Sequence, residues 1–151
     1  MENPKREFLR HALATLAYRG NRTLTGAPEG FGDFRPAEGT RSAAEILAHI
    51  GDLFDWAIAL SQGRHEWRES LPMPWRGEIQ RVFAAIQLLD AYLASAEPLL
   101  CSEERILQGP VADALTHFGQ IALLRRMAGS PVRPENYFRA DIAAGVIEYD
   151  R

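Results

Sequence analysis

The sequence lacks the features that mark several large classes of protein. Its 151 residues include one cysteine, Cys101, which excludes an intrachain disulfide and makes a reducing cytoplasm the expected compartment. No apolar stretch approaches the roughly 20 residues that a membrane-spanning helix needs. The segment Met1–Lys5 lacks the apolar middle region of a signal peptide, which also favours the cytoplasm.

An excess of positive charge is missing as well. The formal net charge is −3, which disfavours nucleic acid and anionic membrane as partners. There is no zinc-ribbon spacing, no glycine-rich phosphate loop and no tandem repeat. With 46% apolar and 25% charged residues, the composition is ordinary for a globular protein, and the length suits a single domain, 1–151.

What the sequence does contain is apolar periodicity of helical spacing, in four stretches. The first is predicted to begin with Asn3 as N-cap and Pro4 at the first helical position, and to end at Gly20. The second begins at the capping-box pattern Ser42–Glu45 and ends at Gly63. Both boundaries rest on local chemistry at the helix ends.

Two long connections separate the first three helices. Residues 21–40 form a glycine- and proline-rich loop, which Phe31 and Phe34 are expected to pin to the body of the protein. Residues 64–74 form a second crossover, and the third helix follows Pro74. Loops of this length are uncommon in compact domains and often line a site.

The fourth helix is predicted to begin near Gly109–Pro110 and to end at Gly129, antiparallel to the third. The apolar segment Tyr137–Ile147 should then pack on the other helices. These elements predict an all-α fold, a four-helix bundle with long crossover loops and a short C-terminal packing segment.

Three polar residues occupy or border the faces that this fold would bury. His49 shares an apolar stripe with Ile46 and Leu53, whereas Asp113 and His117 are four residues apart, about 40° around a helix, and point the same way. Polar groups that face a core need a reason to be there. If the two helices pack face to face, two imidazoles and one carboxylate converge and leave part of an octahedral ion open.

Structural alternatives exist for each of the three. His117 has an alternative as a core histidine bonded to a carbonyl group, and Asp113 as an acid that stabilises the start of the fourth helix. His49 has Glu45 and Asp52 within hydrogen-bonding range along its own helix. Spacing alone does not decide between these alternatives and a metal site.

Other kinds of chemistry have less support. Cys101 has no base predicted nearby, and its apolar neighbours suggest a buried, inert thiol. No serine or threonine lies in the strand-turn-helix elbow of a nucleophile. Trp56 and Trp67 are expected to pack in the core or at its rim, with a substrate platform as the alternative. His11 and His65 are assigned no role.

Two stretches resemble a known family. The stretch from Ala44 to Trp56, in which His49 precedes a small and then apolar run ending in tryptophan, resembles the second helix of the DinB-like (DinB/YfiT) family of metalloenzymes. The stretch from His117 to Gly129 is similar to the fourth-helix signature of that family. The resemblance extends over most of the chain, including the order of helices and crossovers.

The resemblance implies a metal site. The family binds a divalent metal such as zinc, nickel or iron through three histidines, one from the second helix and two from the fourth. His49 and His117 take the first and last of these positions, and Asp113 stands where the family usually has histidine. A carboxylate ligates zinc at a distance close to that of imidazole. Two histidines and one carboxylate even favour iron(II) or manganese.

The resemblance also implies a range of activities. Relatives include transferases and isomerases that use low-molecular-weight thiols, and a metal-assisted hydrolase acting on another small substrate is equally compatible. Asp52 or Gln120 would orient the metal ligands through hydrogen bonds, without binding the metal. Relatives often dimerise, and a homodimer here would use Trp75, Tyr92 and Leu100. The competing hypothesis is a non-catalytic helical binding or stress-response module with a vestigial metal pocket, in which Asp113 turns away from both histidines.

Overall fold

The computed structural model describes residues 2–150, so the first and last residues of the predicted 1–151 domain lie outside it. In the part described, the fold is an all-α bundle, as predicted, and contains no strand. Its α-helices are α1 (Pro4–Leu24), α2 (Ala43–Ser61), α3 (Trp75–Ala94), α4 (Glu103–Ile106) and α5 (Ala112–Met127). A π-helical turn, Leu107–Val111, joins α4 to α5, so these three pieces form the fourth rod of the bundle.

Helix α1 begins as predicted and ends later than predicted. The side chain of Asn3 accepts hydrogen bonds from the backbone N–H groups of Lys5 and Arg6, and Pro4 occupies the first helical position. Gly20, the predicted end, is instead buried within the helix. A Cβ atom there would lie 2.7 Å from Cζ of Phe118, so this glycine allows α1 and α5 to approach closely.

The long loop after α1 is pinned by aromatic side chains, as predicted. Phe31 is buried in a short 3₁₀ helix, Phe31–Asp33, and its ring stacks on Phe34 with centroids 6.2 Å apart. Its other side meets the edge of Trp75, 5.3 Å between centroids, at the start of α3. The loop therefore packs against the starts of α2 and α3 at one end of the bundle.

The fourth rod differs most from its prediction. Its helical backbone begins at Glu103, where Ser102 caps the backbone N–H of Arg105, and not at Gly109–Pro110. Pro110 lies inside the π turn. Because proline has no N–H, it cannot make the ordinary bond to the carbonyl group four residues earlier, and the wider turn absorbs this loss. The prediction that the fourth helix begins near Gly109–Pro110 is therefore wrong.

The contacts between helices fix an up-down-down-up arrangement in which α1 and α2 occupy opposite corners. Arg10 pairs with Asp90, which makes α1 antiparallel to α3, and Lys5 pairs with Glu104, which makes α1 parallel to the fourth rod. The third and fourth rods are therefore antiparallel, as predicted. The core draws on all four rods: Leu13, Leu16, Ile50, Phe54, Ile86, Leu89, Ile106, Phe118 and Ile121.

The neighbours α2 and α3 run parallel, and this determines the path of the crossover between them. Arg81, in the first half of α3, bonds Asp52 at the middle of α2, and Tyr92 donates to the carbonyl oxygen of Ser61 at the far ends of both helices. The connecting residues 62–74 must therefore return along the full length of α2, about 28 Å for 19 residues. The crossover consequently covers the outer side of α2.

Arg125 joins the end of α1 to the end of α5. The sequence places this guanidinium where it suits the dipole of its own helix, but it donates instead to the carbonyl oxygens of Thr23, Thr25 and Gly26, and to that of Ser130. The first three carbonyl groups belong to the last turn of α1 and the loop that follows, whereas that of Ser130 follows α5. Burial lowers the pKa of Arg125, and four carbonyl acceptors compensate the guanidinium for lost water.

The C-terminal segment packs on the bundle in part, as predicted. Tyr137 stands edge-on to Tyr18 of α1, and Ile147 is buried, whereas Phe138 is almost fully exposed. Two of the expected dimer residues have intramolecular partners: Trp75 packs on the first loop, and Tyr92 donates to Ser61 and Pro98. No helix within residues 2–150 is long and apolar enough to cross a membrane.

Candidate metal centre

The three predicted site residues lie together where α2 packs against α5. His49 comes from α2, and Asp113 and His117 come from the first half of α5. One potential ligand atom from each residue lies within 4.8 Å of the other two. These residues, called the histidine cluster from here on, place two imidazoles and one carboxylate around a common point.

The carboxylate of Asp113 faces both histidines. Its Oδ2 lies 3.4 Å from Nε2 of His49, and its Oδ1 lies 3.4 Å from Nδ1 of His117. Both distances exceed the usual range of a good hydrogen bond. The two imidazole centroids are 4.5 Å apart. Asp113 is therefore not turned away, as the vestigial-pocket alternative expects, and its contacts are loose enough to leave its oxygens available.

His117 is fixed in one tautomer by the backbone. Its Nδ1 lies 2.7 Å from the carbonyl oxygen of Asp113, one turn earlier in α5. A carbonyl oxygen only accepts, so Nδ1 carries the hydrogen and donates it. The carbonyl-bonded histidine considered as a structural alternative is thus observed. The same bond leaves a lone pair on Nε2. Histidines that bind metals are commonly oriented in this way, by a hydrogen bond from the other ring nitrogen to a carbonyl group.

The alternative role of Asp113 as a helix-start acid has no structural basis. Helical backbone begins at Glu103, ten residues before Asp113, so the free N–H groups of the rod lie a long way from this carboxylate. The π turn ends two residues before Asp113. Since a π turn closes its hydrogen bond over one residue more than an α turn, it sets the rotation of Asp113 and His117 relative to α4.

The surroundings of His49 favour its neutral form. Burial lowers the pKa of His49, the positive charges of His117 and Arg41 act in the same direction, and Asp113 opposes them. Neutral imidazole is the form that binds metal ions. The side chains of His49 and His117 are 17% and 12% exposed and that of Asp113 is 44% exposed, so the cluster opens to solvent on the side of Asp113.

Trp67 of the crossover lines one side of the histidine cluster, a position that the sequence does not predict. Trp67 meets the ring of His49 edge-on, with centroids 5.6 Å apart, and packs in the same manner on Trp56 at 5.8 Å. Its side chain remains partly exposed. Trp67 therefore packs on Trp56 and also lines the site beside His49. A loop residue carries no periodicity, so no sequence signal links it to His49.

A second cluster of polar side chains lies beside the histidine cluster, along α2 and α3. Arg81 of α3 donates to Asp52 and Asp55 and to the carbonyl oxygen of Ala48, and lies 3.5 Å from Glu78. Asp52, Asp55, Glu78 and Arg81 are called the arginine cluster. Burial alone would lower the pKa of Arg81, but its hydrogen bonds with Asp52 and Asp55 prevail and raise it.

The polar residues that were expected to support the histidines have other partners or face solvent. Asp52 bonds Arg81 and the backbone N–H of Ser70, so it neither pairs with His49 nor orients it. Glu45 pairs with Arg35 in the first long loop. Gln120 is exposed on α5. The expected supporting roles of Asp52 and Gln120 are thus not observed.

Comparisons with known proteins give no relative: no family model, no curated protein and no solved structure matches this chain. The resemblance to the DinB-like family therefore stays a prediction. What defines the protein is its own architecture, an up-down-down-up helical bundle with a histidine cluster between α2 and α5.

Proposed function

We propose that this chain is a metal-dependent enzyme that binds one divalent cation through His49, Asp113 and His117 and acts on a small molecule. The observation that carries the proposal is the convergence of three ligand atoms, from two helices, within 4.8 Å of one another. The tautomer of His117 supports it, because a lone pair on Nε2 is the one requirement that helical spacing cannot supply.

The donor set fits a divalent metal of intermediate softness. Two neutral imidazoles and one carboxylate suit iron(II), manganese, zinc and nickel, and the carboxylate shifts the preference towards the first two. The three residues would occupy one side of the ion, leaving the exposed side beside Asp113 for a substrate. No cysteine belongs to the set, which argues against the softest metals.

The residues around the site would shape the reaction in two ways. A divalent cation bound there would lower the pKa of a thiol or water molecule that it ligates. Trp67 covers the ring of His49 and limits the access of water from the side of the crossover. The lowered pKa of His49 keeps its imidazole neutral near neutral pH, the form in which it can ligate.

The finer activity follows from the DinB-like resemblance. We propose a transferase or isomerase that activates a low-molecular-weight thiol, with metal-assisted hydrolysis as the second reaction of the same site. Both use a nucleophile that becomes an anion at neutral pH, and both need only the open side of the cation.

Calorimetric titration of the metal-free protein with manganese, iron(II), nickel and zinc tests the proposal. We expect about one site per chain for at least one of these metals, and its loss in His49→Ala. Asp113→His restores the three-histidine set of the family and should raise zinc affinity about tenfold or more. An isotherm without binding for all four metals would contradict the proposal.

A further inference from the structure

A cavity of about 260 Å³ adjoins the histidine cluster between the start of α2 and the crossover. His49 forms part of its wall, so a molecule in the cavity would reach the site directly. The volume suits a small metabolite, somewhat below the usual range for drug-sized ligands. The remaining lining residues are Arg41, Glu45, Asp52, Glu69, Ser70, Leu71 and Pro72.

The acids of this cavity are mostly neutralised from outside it. Glu45 is paired with Arg35, and that ion pair lowers the pKa of Glu45. Asp52 is paired with Arg81 and accepts the backbone N–H of Ser70. Neither carboxylate is therefore free to repel an anion or to pair with another cation.

Arg41 is the opposite case. Within residues 2–150 its guanidinium takes part in no ion pair, although it lines the same cavity as Glu45 and Asp52. Arg41 and His49 line the same cavity, and the positive charge of Arg41 contributes to the lowered pKa of His49. Glu69, an exposed acid on the crossover, lines the same cavity and carries the opposite charge.

We propose that Arg41 binds a carboxylate group of the small molecule on which the histidine cluster acts. The planar guanidinium offers paired donors that match a carboxylate. A single arginine in a small cavity suits this group better than a phosphate, which usually collects several donors. This inference rests on the proposed function, because it assigns the far end of a molecule whose reacting end lies at His49.

Cobalt(II) as the probe metal gives a direct test. A thiol that binds cobalt produces a charge-transfer absorption band, so the affinities of 3-mercaptopropionate and of its neutral analogue 3-mercaptopropanol can be compared. We expect the acid to bind about fivefold more tightly than the alcohol, as suits an exposed charge pair. Arg41→Gln should abolish this preference, and Glu69→Gln should increase it.

Arg105→Gln is the matched control, since it removes the same charge from α4, away from the cavity. It should leave the fivefold preference intact. A preference that survives in Arg41→Gln, or that falls equally in Arg105→Gln, would overturn the role of Arg41.

A second measurement separates this inference from the metal site. Propionate is titrated onto the metal-free protein while the Nε–Hε signal of Arg41 is followed by NMR. If cobalt does not bind but this signal shifts to saturation, the metal proposal fails and the carboxylate site stands. If cobalt binds while the Arg41 signal does not respond and both thiols bind equally, the carboxylate site fails alone.

Discussion

The histidine cluster and the arginine cluster lie three residues apart on α2, yet they satisfy their charges in opposite ways. In the arginine cluster, the carboxylates of Asp52 and Glu78 are buried, and Arg81 lies between them. The same two carboxylates accept the backbone N–H groups of Ser70 and Met73 in the crossover. Every strong acceptor there has a donor from within the chain.

Within residues 2–150, the carboxylate of Asp113 in the histidine cluster pairs with no arginine or lysine. Asp113 faces two imidazoles at 3.4 Å, and the environment of His49 favours its uncharged form. The cluster therefore brings imidazole nitrogens and carboxylate oxygens together without a guanidinium or ammonium group between them. The comparison therefore separates a group of charges that holds the fold together from a group of side chains whose donor atoms suit the cation proposed above.

The largest effect should come from Arg81→Met, which leaves the buried acids without a cation. We expect a loss of about 3 to 5 kcal/mol in the free energy of unfolding, measured by urea denaturation. Arg76→Met, an exposed site on the same helix, should stay within about 0.5 kcal/mol of the parent. A loss below about 1 kcal/mol for Arg81→Met would mean that the arginine cluster does not hold α2 and α3 together.

His117→Ala should break the other cluster. Loss of a residue that only hydrogen-bonds a metal ligand weakens metal binding about 10- to 100-fold. Removal of the ligand itself should therefore cost more than about 100-fold in affinity, measured by competition with a chromophoric chelator. The variant loses one hydrogen bond, worth about 1 kcal/mol of stability. His11→Ala, on the exposed face of α1, is the control and should bind metal like the parent. Equal affinities in the two variants would refute the assignment.

Asp113→Asn separates ligation from folding. Its side chain is 44% exposed and makes only loose contacts, so the free energy of unfolding should change by about 0.5 kcal/mol or less. Metal affinity should fall about tenfold, because the amide carries no negative charge. A loss of stability comparable to that of Arg81→Met would show that Asp113 is a structural acid.

Gly51→Ala perturbs the arginine cluster more gently. A Cβ atom there would lie 2.7 Å from Nη1 of Arg81 and would push the guanidinium off the carbonyl oxygen of Ala48. We expect a net loss of about 1 kcal/mol in calorimetric stability, since crowding outweighs the gain in helix propensity.

The matched control for that variant is Gly119→Ala on α5, where a Cβ atom meets nothing within 4 Å. Without crowding, only the propensity term remains, and the variant should gain about 0.5 to 1 kcal/mol. Changes of the same sign at the two glycines would remove the steric explanation.

The sequence predicts helix ends well where local chemistry decides them. Asn3 and Ser42 cap their helices as expected, because the hydrogen bonds involved span only a few residues. It fails where a tertiary contact decides. Gly20 predicts a helix end, but it lies within α1 and leaves room for the ring of Phe118. Pro110 predicts a helix start, but it lies within a π turn.

The candidate site divides in the same manner. Helical phase identifies His49, Asp113 and His117, because their directions follow from the spacing along two helices. Trp67 and Arg41 lie outside regular helices, and their approach to His49 depends on the path of two long loops. The partnership of Arg81 with Asp52 depends on α2 and α3 being parallel neighbours, which no local pattern encodes.

The most direct test of the metal-site claim is elemental analysis of the chain, purified without a metal-binding tag, beside His49→Ala and Arg76→Met. We predict about one equivalent of a divalent transition metal in the parent and in Arg76→Met, and almost none in His49→Ala. A parent without metal, or a His49→Ala variant that retains the full equivalent, would contradict the claim that the histidine cluster is a metal site.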